Sequence, residues 1–366
     1  MSFSGMVITI PPCWYKTNFI MYEKLWNFEN LYKAYKKTRA GKRYTGAAAS
    51  FEMDLSGNIS RLSEQLKAGT YTFSPYYEFE ITDPKKRIIH ALHFKDRVVQ
   101  HCLCDEILSE VIEPRLIYDN AACRLGKGTH FAMDRLNGFM QEQYRKYGIE
   151  GYFLKYDIRK YFDNIDHAVL KSKLSKIIDE PKLLNLLFQI VDGFEKKKGK
   201  GLPLGNQSSQ WFALLYLDEL DRFIKEKLQI KYYVRYMDDG VLIHRDKEYL
   251  RWCLEEMRKV ADKLELEFNE KTQIAPLSRG IGFLGFHFYL TDTGKVIRRL
   301  RPQSKKRYQH KLKSMQKQYS LGNLELEYIG QVVQSYHAHL SHGNCNMLEK
   351  RCLENFVLKR NDYEKE

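Results

Sequence analysis

The stretch "KYYVRYMDDGVLIH", residues 231–244, sets two adjacent aspartates, Asp238 and Asp239, inside a run of tyrosine, valine, leucine and isoleucine. Alternating apolar residues on either side of an Asp-Gly pair predict two short strands joined by a tight turn. The chain must therefore build an antiparallel sheet that carries two like charges at a hairpin. A plain turn, with Asp-Gly supplying the backbone angles and Asp238 merely exposed, explains the hairpin but not the charges. Repulsion and partial burial both oppose ionisation there unless a cation is bound. Magnesium is usually held by one or two carboxylates and completes its shell with water or phosphate oxygens, so a further carboxylate from elsewhere in the chain is expected. Asp157, in "LKYDIRKYFDNIDH", ends an apolar strand that can pair beside the hairpin and bring its carboxylate to the same sheet edge. Asp163 and Asp166 compete for that place, but they read as a turn and a helix cap.

Around this centre the element types alternate. "GYFLKYDI" reads as a strand and "DHAVLKSKLSKII" as a helix with Asp166 at its N-cap. "SQWFALLYLDELDRFIKEKL" reads as one long helix. In "YLRWCLEEMRKVADKLEL", Leu250, Leu254, Met257, Ala261 and Leu264 share a helical face, and "GIGFLGFHFYL" returns as a strand pair. Strand, helix, helix, hairpin, helix, strand is the order of a small antiparallel sheet backed by helices, an α+β fold. Upstream, "NLYKAYKKTRAGKRY" predicts a basic helical segment and Gly69 closes a second helix. Strands flank Asp83-Pro84, and a buried helix runs from Val98 through Leu108. From about residue 296, "VIRRLRPQSKKRYQHKLKSMQKQY" and then "EYIGQVVQSYHAHLSHGN" both read as helical, the first heavily basic.

A chain of 366 residues with 60 Lys+Arg against 46 Asp+Glu, net +14, and 13% aromatic residues favours a polyanionic partner with bases or sugars to stack. A basic run is by itself usually a solvated face. Here it adjoins the carboxylate centre, which favours a nucleic-acid contact. No stretch reaches the roughly 18 consecutive apolar residues of a membrane span, and "MSFSGMVITIPPCWYK" lacks the basic n-region of a secretory signal, so a cytoplasmic, membrane-free protein is expected. Seven cysteines with scattered spacing fit a reducing compartment. Cys102 and Cys104 read as core packing rather than zinc ligands, and His337, His339 and His342 as packing or backbone contact.

"YMDD", preceded by Asp157 with Phe162 five residues on and by "LPLGNQSSQ" at 202–210, resembles the catalytic core of reverse transcriptases. "RLGKGTHFAMDRL", "FNEKTQI", "IGFLGFHF" and "VVQSYHAHL" look like further blocks of bacterial reverse transcriptases, so the likeness spans nearly the whole chain. It implies a right-hand polymerase: an N-terminal helical extension over 1–60, fingers over 61–150 with helices shared with the palm, a palm over 151–295 with a finger-contributing insertion near 170–200, and a helical thumb over 296–366. Asp157 and Asp238 would be ligands of two Mg2+ ions, with Mn2+ as a substitute, and Asp239 the more peripheral carboxylate. Ions about 3.5–4 Å apart would activate an attacking 3′-hydroxyl and stabilise departing pyrophosphate. Lys271 would protonate that pyrophosphate. Phe162 would close against the nucleotide 2′-position and select deoxynucleotides. Leu204, Gly205 and Gln210 would line the nucleotide site, Lys86, Arg87 and Arg97 would meet its triphosphate, and the hairpin Phe283, Leu284, Gly285, Phe286 would grip the primer end.

One departure is informative. Many reverse transcriptases carry a glutamine where this chain has Leu204, and "LGNQSSQ", "DPKKRIIHALHFKDRVVQHCLCDEI" and "RLGKGTH" look like the enzymes of diversity-generating retroelements and their bacterial relatives. An aliphatic side chain there removes hydrogen bonds that would position sugar and template base, which implies reduced selectivity. That role implies an RNA template, a DNA or RNA primer, deoxynucleotides, a structured non-coding RNA and a small basic helical accessory protein. Anti-phage defence with a dedicated RNA and a group II intron-like life cycle are the alternatives; no obvious endonuclease or zinc-binding extension follows the thumb, which weighs against the intron reading. A catalytically silent nucleic-acid-binding relative is disfavoured by the intact aspartates, and an RNA-templated RNA polymerase by Phe162.

Overall fold

The structure is a computed structural model, and residues 21–42, 44–82 and 86–360 are described. Its elements follow from local chemistry. The N-terminal basic segment forms the helix Phe28–Arg39, whose cap Asn27 accepts a hydrogen bond from the Asn30 N–H. The helix Leu55–Ala68 ends at Gly69 with φ 75°, the left-handed position that glycine takes without a Cβ penalty. Strands β1 (Tyr77–Ile81) and β2 (Arg87–Ala91) pair antiparallel; Asp83 and Pro84, between them, lie outside the described residues. The helix Phe94–Leu103 then runs through a widened π turn, Cys104–Leu108, into Ser109–Ile112. Cys102 and Cys104 are buried there.

The central sheet is four-stranded and antiparallel. It contains β3 (Tyr152–Asp157), β4 (Tyr232–Tyr236), β5 (Asp239–His244) and β6 (Gln273–Pro276), in the order β4-β5-β3-β6. Each face closes a different core. Leu154, Tyr156, Tyr233 and Leu242 pack with the N-terminal helices and with Gln207–Tyr216. Phe153, Val234, Val241 and Ile243 pack on the other side with the helix Thr129–Tyr147 and the C-terminal region. This alternation is the period-2 pattern of strands buried on both faces. Asp166 caps the helix His167–Ser175, its carboxylate accepting from the Val169 N–H, as predicted.

Three predicted elements need correction. The stretch expected as one long helix is broken: Gln207–Tyr216 and Asp218–Arg222 meet at Leu217, and a π turn, Phe223–Lys227, follows. The break leaves Asp221 facing β4. Second, the hairpin turn is not Asp239-Gly240. Tyr236 pairs directly with Asp239, so the turn residues are Met237 and Asp238, with Met237 at φ 54°. Gly240 is a strand residue, and a Cβ there would lie 2.3 Å from the Tyr156 ring. The glycine admits a tyrosine across the ladder rather than bending the chain. Third, Val296–Leu300 is a strand, not helix. As β9 it joins β7 (Ile281–Phe283) and β8 (Phe286–Leu290) in a three-stranded antiparallel sheet, because its own alternation matches β8, and Pro302 then starts the basic helix Pro302–Ser320. The helices Leu326–Leu340 and Asn346–Glu354 complete the C-terminal region.

Candidate active site

The register of the central sheet sets Asp157, the last residue of β3, directly opposite Asp239, the first of β5. Asp238 stands beside them in the turn. Burial pushes the Asp238 carboxyl up to about 6, and repulsion from Asp157 and then Asp239 adds to it. Asp239 is raised too, first by burial, while the ammonium of Lys155 pulls the other way. Lys155 reaches both oxygens of Asp239, at 2.8 and 3.0 Å. Asn269 clamps the other side of the site: its backbone N–H donates to the Asp157 carbonyl at 2.7 Å and its side-chain amide to Asp157 Oδ2 at 3.2 Å.

The donor set fits a hard divalent cation. Crowded carboxylates with raised values are destabilised in the ionised form, and an oxygen-seeking dication relieves that. Among the described residues no three ligating side chains converge on one point, so any ion here takes its remaining oxygens from water or phosphate. The raised Asp238 value also has a stability consequence. A carboxyl raised from 3.8 to about 6 contributes stability that is complete below about 3.8 and is lost as pH rises through about 6. Metal-free Asp238→Asn protein is therefore expected to melt at a higher temperature than the parent at pH 8, and the gap to close as the pH falls toward 4. Thermal unfolding in chelator across that range checks it.

Beneath the turn lies a network that sequence reasoning missed. Arg235 is fully buried and forms a bidentate pair with Asp221, Nε to Oδ1 at 2.7 Å and NH2 to Oδ2 at 2.6 Å. Its third nitrogen donates to the Met237 carbonyl at 2.6 Å, which ties the turn to the pair. Tyr233 donates to Asp221 at 2.6 Å, and the Tyr156 and Tyr233 hydroxyls share a hydrogen bond. The signal available in the sequence was an arginine inside "YYVRY", a charge where a strand is otherwise apolar.

The remaining predicted residues fall in three groups. Phe162 is half-buried against the first core, and its carbonyl accepts from the Leu202 N–H, so the "LPLGNQSSQ" segment runs beside it. Leu204 and Gln210 are half-buried and Gly205 is exposed; at φ 106° a Cβ on Gly205 would meet Ile89 of β2 at 3.1 Å. Lys86 is exposed and pairs with Glu80, and Arg87 opens β2 in the open. Arg97 is committed elsewhere, to the Leu92 carbonyl and the Tyr77 hydroxyl. Lys271 is exposed in the turn that Asn269 fastens to β3. In the β7–β8 hairpin, Phe283 and Phe286 are fully buried, and the turn residues Leu284 and Gly285, both at positive φ, are half-buried, with Leu284 resting against the second core.

Asp157, Asp238 and Asp239 thus stand together at one edge of a small antiparallel sheet backed by helices, the α+β arrangement expected from the sequence. The family described as "Reverse transcriptase (RNA-dependent DNA polymerase)" matches residues 82–288, more than half of the chain, and the protein belongs to that family. Group II intron-encoded protein LtrA of Lactococcus lactis subsp. cremoris is 23% identical over 313 residues, covering 66% of this chain and 51% of its own length. A COX1/OXI3 intron 2 protein of Saccharomyces cerevisiae is 26% identical over 210 residues, covering 54% of this chain and 23% of its own. The chain thus spans about half, or less, of the length of these relatives. A structure of telomerase from Candida albicans with a fragment of telomeric RNA aligns with a TM-score of 0.47 and 12% identity, covering 70% of this chain and 52% of that one. Among the described residues no helix is long and apolar enough to cross a membrane.

Proposed function

We propose that the protein is an RNA-directed DNA polymerase that extends a DNA or RNA primer on an RNA template. The observation that carries this reading, within the family, is the opposition of Asp157 to the Asp238-Asp239 turn. Asp157 and Asp238 would hold the divalent ions, which supply Lewis-acid stabilisation of the attacking and leaving oxygens. Asn269 fixes one Asp157 oxygen, and the Arg235–Asp221 pair fixes the backbone that presents Asp238. Phe162 would pack against the sugar, with Leu204, Gly205 and Gln210 beside it. Lys86, exposed and paired with Glu80, and the exposed Arg87 would turn toward a triphosphate, whereas Arg97 serves the β1–β2 hairpin instead. Lys271 stands where it could give a proton to pyrophosphate. Primer contact from the β7–β8 turn would come through Leu284 and the Gly285 backbone, since both phenylalanine rings are buried.

Primer extension on an annealed RNA template, with magnesium and either deoxy- or ribonucleotides, tests the reading. Deoxynucleotide incorporation is the expected result; persistent inactivity with a cognate RNA supplied would shift the protein to a binding role. Phe162→Ala is expected to relax sugar choice by about 10- to 100-fold, the range in which removing a steric contact alters discrimination. If ribonucleotides remain excluded, Phe162 is core packing only.

Leu204 favours a mutagenic role in a diversity-generating retroelement, with a structured non-coding RNA and a small basic accessory protein as partners. The intron-encoded relatives favour an intron-like life cycle instead. Leu204→Gln is expected to lower the error frequency opposite template adenines severalfold on the mutagenic reading. An unchanged frequency would count for the intron-like one.

A further inference from the structure

We infer that Lys155 is a built-in counter-cation for Asp239, which leaves Asp157 and Asp238 as the cation-binding pair and holds down the affinity of the site until a nucleotide arrives. This deepens the proposed metal-dependent reading and rests on it. Lys155 and Asp157 are two residues apart on β3 and so stand on one face of the sheet. Lys155 pairs with Val241 while Asp157 pairs with Asp239, which sets the lysine diagonally across from Asp239, within reach of a long side chain. The ammonium sits 2.8 Å from one carboxylate oxygen and 3.0 Å from the other, and both side chains are largely shielded, at 18% and 23% exposure. A pair held this way, away from solvent, is not the loosely screened kind found on surfaces.

Two consequences follow from the charge count. Three carboxylates alone would present −3 at the sheet edge; with Lys155 the edge presents −2, and the ammonium is held against Asp239, donating to Oδ2 and lying 2.8 Å from Oδ1. A dication can then draw on Asp157 and Asp238, and it needs further oxygens to complete its shell. The triphosphate of an incoming nucleotide brings those oxygens together with negative charge. The site is thus tuned to load metal with substrate rather than before it.

The test is Mn2+ titration of the purified chain without nucleotide, reading free Mn2+ by electron paramagnetic resonance. Lys155→Met is expected to bind Mn2+ about tenfold tighter than the parent, the scale on which removing one nearby positive charge acts at an intermediate dielectric. Asp239→Asn alone should weaken binding about tenfold, because it leaves the edge at −1 with Lys155 uncompensated, yet by less than Asp238→Asn, which removes a ligand as well. In the Lys155→Met background the same substitution should return affinity to that of the parent. Unchanged or weaker binding by Lys155→Met, or an Asp239→Asn loss as large as that of Asp238→Asn, would overturn the assignment. Binding that Asp238→Asn leaves intact would instead overturn the metal reading of the whole site. Lys155→Gln, which keeps a polar group beside Asp239, is expected to tighten binding in the same direction, and melting in chelator verifies that each variant is folded.

Discussion

Replacing Asp221 by asparagine is expected to destabilise the fold by about 3–5 kcal/mol, because it leaves the Arg235 guanidinium buried without its counter-charge. The pair is at 0% exposure on both sides, so solvent offers the orphaned charge nothing. The size is set by the asymmetry of buried pairs: forming one is close to neutral overall, whereas removing a single partner strands an ion in a medium that cannot hydrate it. Urea unfolding of the variant should show the midpoint falling at an unchanged slope. The double replacement Asp221→Leu with Arg235→Met should recover much of the stability but not the activity, since the Met237 carbonyl then has no donor beneath the turn. A double variant as active as the parent would show that the network serves packing alone.

The second large effect concerns chemistry. Asp238→Ala is expected to reduce deoxynucleotide incorporation by at least about 1,000-fold, since the metal stabilisation it would forfeit is several kcal/mol and each 1.36 kcal/mol is tenfold in rate. The variant should fold at least as well as the parent, because the raised carboxyl it removes is a destabilising charge at neutral pH. Single-nucleotide incorporation beside a melting curve distinguishes the two contributions. Loss of activity together with loss of folding would mean that the turn depends on this side chain structurally.

Much of the central sheet could be read from residue order. The apolar strand ending at Asp157, the hairpin that follows and the Asp166 cap are all local patterns whose physics acts within a few residues. The sequence puts the turn two residues too late because Asp-Gly is a strong hairpin signal, yet a glycine is also what a strand needs where a partner's ring crosses it. That partner, Tyr156, lies 84 residues earlier than Gly240 in the chain but directly opposite it in the sheet. The Arg235–Asp221 pair was hidden for a similar reason. An arginine in a strand carries no label for its partner, and the helix break at Leu217 that aims Asp221 toward it has no glycine or proline to mark it. Val296–Leu300 reads as helix because its arginines continue a basic run, while its strand character comes from pairing with β8. The nucleotide-side roles of Lys86, Arg87, Arg97 and Lys271 came only from resemblance, and the hydrogen bonds of Arg97 could not have been foreseen from composition.

The division of the central sheet between two cores bears on how this chain can be taken apart. Phe153, Val234, Val241 and Ile243 share their core with Phe283, Phe286, Tyr308 and Leu340. The C-terminal region is therefore no modular attachment: cutting it away would strip one side of the very strands that carry the aspartates. A chimaera that exchanges the C-terminal helices must carry along the β7–β9 sheet and a matching helix at Thr129–Tyr147, or the strands beside the aspartates will not hold their shape.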